Sequence, residues 1–131
     1  MSANTQMGSE AAAMTREGLS AFRSHHPDCV LALWTDIEAR LVLFVDSDLR
    51  HPQEGLDALG SIASCVLGGP PETAPDSAIF VEPTGNSLFL RDKTQATHAL
   101  VCTSGPGIDP NDLLLAMTEF MSSPAVMDVA Q

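Results

Sequence analysis

The chain has 131 residues, 44% of them hydrophobic and 18% charged, a composition that suits one folded domain with its own core and excludes general disorder. Its 17 acids against 6 bases give a net charge of −11, and the bases Arg16, Arg23, Arg40, Arg50, Arg91 and Lys93 are dispersed along the chain. Nucleic-acid binding and attraction to an anionic membrane are therefore not expected. No apolar run approaches the ~20 residues of a membrane span, so no membrane insertion is expected.

Residues 1–9 are small and polar and read as an N-terminal tail. They carry no basic stretch ahead of a hydrophobic one, so no secretory signal is expected. Residues 10–25 carry a weak helical pattern through Ala12, Leu19 and Phe22, interrupted by Gly18 and stopped by Pro27.

Two strand-like runs follow, 29–35 (CVLALWT) and 40–46 (RLVLFVD), around Asp36-Ile37-Glu38-Ala39. That separation suits a hairpin. Both runs are apolar at alternate positions on both faces, whereas a sheet with one wet face alternates with polar residues. The pattern predicts central strands with helices on both sides.

A second helix is predicted to open near His51-Pro52 and to stop at Gly68-Gly69, with Pro70-Pro71 behind it. At 100° per residue, Leu56, Leu59, Ala63, Val66 and Leu67 form the stripe that should lie on the sheet. Ala58, Ile62 and Cys65 form a smaller apolar flank beside it. Three more strands are predicted at 77–82 (SAIFVE), 87–91 (SLFLR) and 97–103 (THALVCT), the first two joined by Thr84-Gly85-Asn86. After Gly105-Pro106-Gly107, Asp109 reads as an N-cap with Pro110 at the first helical position. Leu113, Leu114, Met117, Phe120 and Met121 then give a helical stripe, and Pro124 marks its end. Residues 123–131 read as a C-terminal tail.

No motif in this string carries chemistry. Cys29, Cys65 and Cys102 form no C-x-x-C and sit in apolar runs, so they are expected as buried reduced thiols, in keeping with a cytoplasmic protein. His25 and His26 are adjacent and lack the i, i+4 spacing of helix ligands. His51 suits a turn before a helix. His98 and Cys102 lie four residues apart, about 13 Å along a strand, too far for a nucleophile and its base. The stretch Ser104-Gly105-Pro106-Gly107 lacks the Gly-Lys-Ser/Thr ending of a phosphate loop. Asp46, Asp48 and Glu54 lack the glycine and terminal glutamate of a calcium loop and are expected as capping and dipole partners. No catalytic residue, metal site or cofactor is predicted.

The element order α-β-β-α-β-β-β-α, the Pro27 turn leading into CVLALWT and RLVLFVD, the helix ended by glycines, the SAIFVE–TGN–SLFLR hairpin, THALVCT and the last helix together resemble the roadblock / dynein light-chain family over residues 10–122. Bacterial members often carry a glycine in the first hairpin turn, where this chain has Asp36-Ile37-Glu38-Ala39. The resemblance implies an α/β fold with a central antiparallel five-stranded sheet, the second helix on one face and the first and third on the other. It implies a homodimer through the second helix and third strand, with Ala58, Ile62, Cys65, Ile79 and Val81 at the interface. It implies a non-enzymatic, cytoplasmic regulator or scaffold that binds a small Ras-like GTPase or a motor component. The alternative is a type III secretion chaperone, similar in size and acidity, whose usual order places three strands between the first two helices.

Overall fold

The computed structural model describes residues 14–48, 50–70 and 72–122. The elements run α1 (Arg16–His25), β1 (Cys29–Asp36), β2 (Leu41–Ser47), α2 (Gln53–Leu67), β3 (Ser77–Glu82), β4 (Gly85–Arg91), β5 (His98–Ser104) and α3 (Pro110–Ser122). This is the expected α-β-β-α-β-β-β-α string, with two strands between α1 and α2. The expected tails at 1–9 and 123–131, and with them Ala12 and Pro124, lie outside the described residues.

α1 is capped at Thr15, which is extended (φ −123, ψ 164) and whose hydroxyl accepts the Gly18 N–H at 2.9 Å, while residues 10–13 of the predicted pattern lie outside the described residues. A side-chain cap of this kind satisfies one of the orphan donors of the first turn and fixes the start. Pro27 ends the helix by disfavouring helical geometry at His26, whose φ is −132 and ψ 75. α3 starts as expected: Asp109 Oδ1 accepts the Asn111 N–H at 2.9 Å, and Pro110 opens the helix.

All five strands form one antiparallel sheet in the order β2-β1-β5-β4-β3. The sheet separates two cores. On one face, Leu19 and Phe22 of α1 and Leu113 and Met117 of α3 pack on Cys29, Ala32, Trp34, Leu88, Leu100 and Cys102. On the other, Leu56, Ala63 and Leu67 of α2 pack on Leu31, Leu33, Phe89, Ala99 and Val101. The two-sided apolarity of β1 therefore means what it was expected to mean, since both of its faces are covered.

For β2 the expectation holds only in part: helices lie on both of its sides, but it is not central. β2 is an edge strand paired only with β1, and Leu41 and Leu43 are 56% and 38% exposed. A bulge also re-aims its side chains. The register jumps between Trp34↔Phe44 and Thr35↔Val42, which leaves Leu43 without a direct partner. Phe44 turns to the α1 side while Val42 and Val45 turn to the α2 side. A run that is apolar at every position thus describes a kinked edge as well as a central strand.

α2 follows its predicted stripe, with two additions that hydrophobicity alone does not mark. Gly60 and Ser64 are buried within the contact face. A Cβ on Gly60 would sit 3.2 Å from Val42 Cγ2, so glycine lets the helix approach β2 closely. Ser64 satisfies its hydroxyl by donating to the Gly60 carbonyl at 3.1 Å.

Candidate interaction surface

β3 forms the other edge of the sheet, and it is built differently. It pairs with β4 in unbroken register from Ser77↔Leu90 to Glu82↔Gly85 and has no neighbour on its outer side among the described residues. Alternation along β3 sends Ala78 toward the α2 core and Ile79 toward the α1/α3 core. Phe80 therefore shares the α2 face, where its ring meets Phe89 at 5.4 Å while remaining 39% exposed. Val81 lies on the Ile79 side and is 68% exposed, the most of the exposed large hydrophobics.

On α2, Ala58 and Cys65 are exposed and Ile62 is half-buried against the α2-side core. The five residues expected at a dimer interface thus fall into two groups: Ala58, Ile62 and Cys65 flank the sheet on the α2 face, and Ile79 and Val81 lie on the opposite face. Phe80 was missed. The signal was present, because alternation from Ile79 and Val81 puts residue 80 on the other side of the strand, where α2 lies.

Cys65 also corrects the expectation of three buried thiols. Cys29 and Cys102 are buried, whereas Cys65 is exposed, since it projects from the flank of α2 and not from its stripe. Burial pushes the Cys102 thiol well above its ordinary value, so this side chain stays protonated in the native core. Cys29 Sγ bonds the Leu31 carbonyl at 3.2 Å.

The remaining candidates are structural. The His98 ring stacks on Trp34 at 5.7 Å and 19°, and its Nδ1 lies 3.0 Å from Thr97 Oγ1. His26 packs on Phe22 at 4.8 Å, His25 Nδ1 lies 2.9 Å from the Ala21 carbonyl, and His51 Nε2 lies 2.8 Å from Ser47 Oγ. Ser104 belongs to a buried polar cluster with Asn86, whose Nδ2 also donates to the Ile108 carbonyl at 3.0 Å. No group of three His, Cys, Asp or Glu side chains suited to a metal ion occurs among the described residues.

Asp46 and Asp48 do not cap α2, whose N-cap Pro52 has no side-chain bond. They hold Arg23 instead, at 2.7 Å from Nη1 and 2.7 Å from Nη2, while Arg23 Nε donates to the Cys29 carbonyl at 3.1 Å. Burial alone would depress this guanidinium. Hydrogen bonds and charge attraction from Asp48 and Asp46 outweigh it and raise the pKa. The result is a charged strut that locks α1 to the far end of β2.

No protein-family model matches the chain, and no curated protein matches it in sequence. Its architecture does have solved counterparts. A roadblock/LC7 domain from Streptomyces avermitilis superposes with a TM-score of 0.67 at 14% identity, over 88% of this chain and 99% of that one. The gliding protein MglB from Thermus thermophilus gives 0.66 at 14% identity, over 97% and 93% of the two chains. Myxococcus xanthus MglB gives 0.64 at 6% identity, over 90% and 87%. The chain has the roadblock fold. In this molecule the α2 flank and Phe80 of the open β3 edge lie on the same side of the sheet.

Proposed function

We propose that this roadblock-fold protein is a non-enzymatic regulatory or scaffolding subunit that works as a homodimer and binds a small Ras-like GTPase. The observation that carries the proposal is the β3 edge. Among the described residues it is regular, apolar and unblocked, and edges of this kind are templates for pairing unless a bulge, proline or charge interrupts them.

Antiparallel pairing of β3 with the same strand of a second copy keeps residues on matching faces only when the register preserves alternation. Centring the pair on Phe80 meets that condition. Ile79 then lies opposite Val81 of the partner subunit on one face, and the two Phe80 rings meet on the other. Ala58, Ile62 and Cys65 stand next to that second face, where small residues let two α2 helices approach. The interface thus joins a sheet edge to a helix flank in one isologous surface.

The GTPase enters by resemblance to the roadblock family, because fold alone does not fix function. Support for a regulatory role comes from the MglB likeness and from the structural duties found for each histidine and for Asp46 and Asp48. The buried thiols of Cys29 and Cys102 suit a reducing cytoplasm, and no helix among the described residues is long and apolar enough to cross a membrane.

GTP turnover by purified Ras-like GTPases of the source organism, with and without this protein, tests the proposal. The protein alone should neither bind nor hydrolyse GTP, and it should change the hydrolysis or nucleotide preference of a cognate GTPase. Recovery of a secreted effector polypeptide with no GTPase, and no response to nucleotide state, would replace the proposal with the secretion-chaperone reading.

A further inference from the structure

A cavity of about 360 Å³ opens at the end of the sheet where the β1–β2 turn, the C-terminus of α2 and the β4–β5 loop converge. We propose that it binds a small organic oxyanion bearing a hydroxyl group, clamped by Arg40 over the fixed charge of Arg91.

The walls are tied together before any ligand arrives. The Ile37 N–H donates to the Thr97 carbonyl at 2.8 Å and joins the two turns. Arg91 is immobilised between them: Nη1 donates to the Ala96 carbonyl at 2.7 Å, and Nη2 donates to the Leu67 and Pro75 carbonyls. Its Nε stands 3.7 Å from an Asp76 carboxylate that is itself 79% exposed. Carbonyl ligands leave the guanidinium charged, and one Nη1 hydrogen remains uncommitted.

Arg40 is the opposite case. It is exposed and makes no hydrogen bond or ion pair among the described residues, so all five of its donors are free. Its backbone is left-handed at φ 60, the one positive φ outside glycine among the described residues. That conformation is disfavoured for an L-residue and free for glycine. The turn is held by Asp36 Oδ1, which accepts the Glu38 and Ala39 N–H groups, and Arg40 closes it at the lip of the cavity. Two of the chain's six bases therefore face one cavity in a molecule of net charge −11.

A guanidinium binds phosphate or carboxylate through two parallel N–H bonds, which favours an oxyanion over a halide. Glu38 lines the same wall. Its carboxylate only accepts hydrogen bonds, so it suits a ligand that carries a hydroxyl beside the anionic group. A cavity of this volume matches small-metabolite sites.

Amide chemical-shift titration of the full chain with glycerol 3-phosphate, at constant ionic strength held with chloride, tests the proposal. We expect saturable shifts confined to Ile37, Glu38, Arg40, Arg91 and Thr97. Arg40→Gly should weaken binding about tenfold or more, the loss of a charge-assisted pair. The same substitution should raise the thermal midpoint, because glycine adopts the positive φ without strain. Binding loss with gained stability separates a ligand role from a folding role. Arg40→Lys, which keeps the charge but not the fork, should also bind more weakly than the parent. Absence of saturation, equal affinity in Arg40→Gly, or shifts spread to Arg16 and Arg50 would overturn the site.

Discussion

The two edges of this sheet are both strands with one neighbour, yet they are finished in contrasting ways. β2 is kinked by the bulge at Leu43, its α1 side carries Phe44 under the Arg16 guanidinium at 5.4 Å, and its end is pinned where Asp46 meets Arg23. β3 has continuous register, no ion pair among the described residues, and an apolar centre of Ile79, Phe80 and Val81. The bulge breaks the alternation of β2, so no single register lets its two halves match faces with another strand. β3 keeps its alternation from Ser77 to Glu82, so its faces would stay matched along a paired strand. If the chain self-associates through a sheet edge, as proposed, this difference between the edges favours β3.

The largest expected effect breaks the open edge. Ile62→Glu together with Val81→Glu places charges inside the proposed interface, where an unpaired buried carboxylate costs several kcal/mol. The dimer should dissociate at least about a thousandfold more readily by sedimentation, since each 1.4 kcal/mol is tenfold. Far-UV circular dichroism should stay unchanged, because Val81 is exposed and Ile62 only half-buried within one chain. A dimer that persists would place the association elsewhere.

Arg23→Met probes the device that pins β2. It leaves the Cys29 carbonyl and the partly buried Asp46 without their donor, at a cost of about 1–3 kcal/mol in chemical denaturation. Association through β3 should be unaffected, so the two edges should respond independently.

Cys102 gives a pH test of the core beneath both edges. A thiol whose native pKa lies above its unfolded value stabilises the fold fully below the unfolded value and loses that contribution as pH rises past it. The ordinary value is 9.0. Above it, stability should fall by about 1.4 kcal/mol per pH unit from this group. The chain has no tyrosine and Lys93 as its sole lysine, but Cys29, hydrogen-bonded to Cys102, is shifted the other way, below 9.0, so the Cys102→Ala comparison isolates the contribution. Denaturation midpoints that stay flat from pH 9 to 10.5, or slopes unchanged in Cys102→Ala, would contradict the assignment.

The smallest effect is expected at the blocked edge. Leu43→Glu substitutes a residue that is 38% exposed and unpaired across the bulge. Stability should change by no more than about 0.5 kcal/mol, and sedimentation should show the parent oligomer.

Much of this fold was legible because periodicity and punctuation agree. Asp109-Pro110 marks the start of α3, Gly68 marks the end of α2, and the alternation of Ser77–Glu82 marks β3. The status of β2 was not legible. A bulge changes which face each residue meets, and no residue type in LVLFVDS announces it. Gly60 and Ser64 were hidden for a related reason, since a close helix–strand contact selects small size and not hydrophobicity. The strut from Arg23 to Asp46 and Asp48 spans more than twenty residues of sequence, beyond what local spacing encodes. Phe80 was within reach of the alternation rule, and it completes the candidate surface.

Backbone hydrogen exchange at two protein concentrations tests the contrast between the edges most directly. The β3 amides that β4 leaves free should become protected as concentration rises, together with the exposed side of α2, while the outer amides of β2 exchange at the same rate throughout. Concentration-dependent protection of β2 with none at β3 would contradict the account.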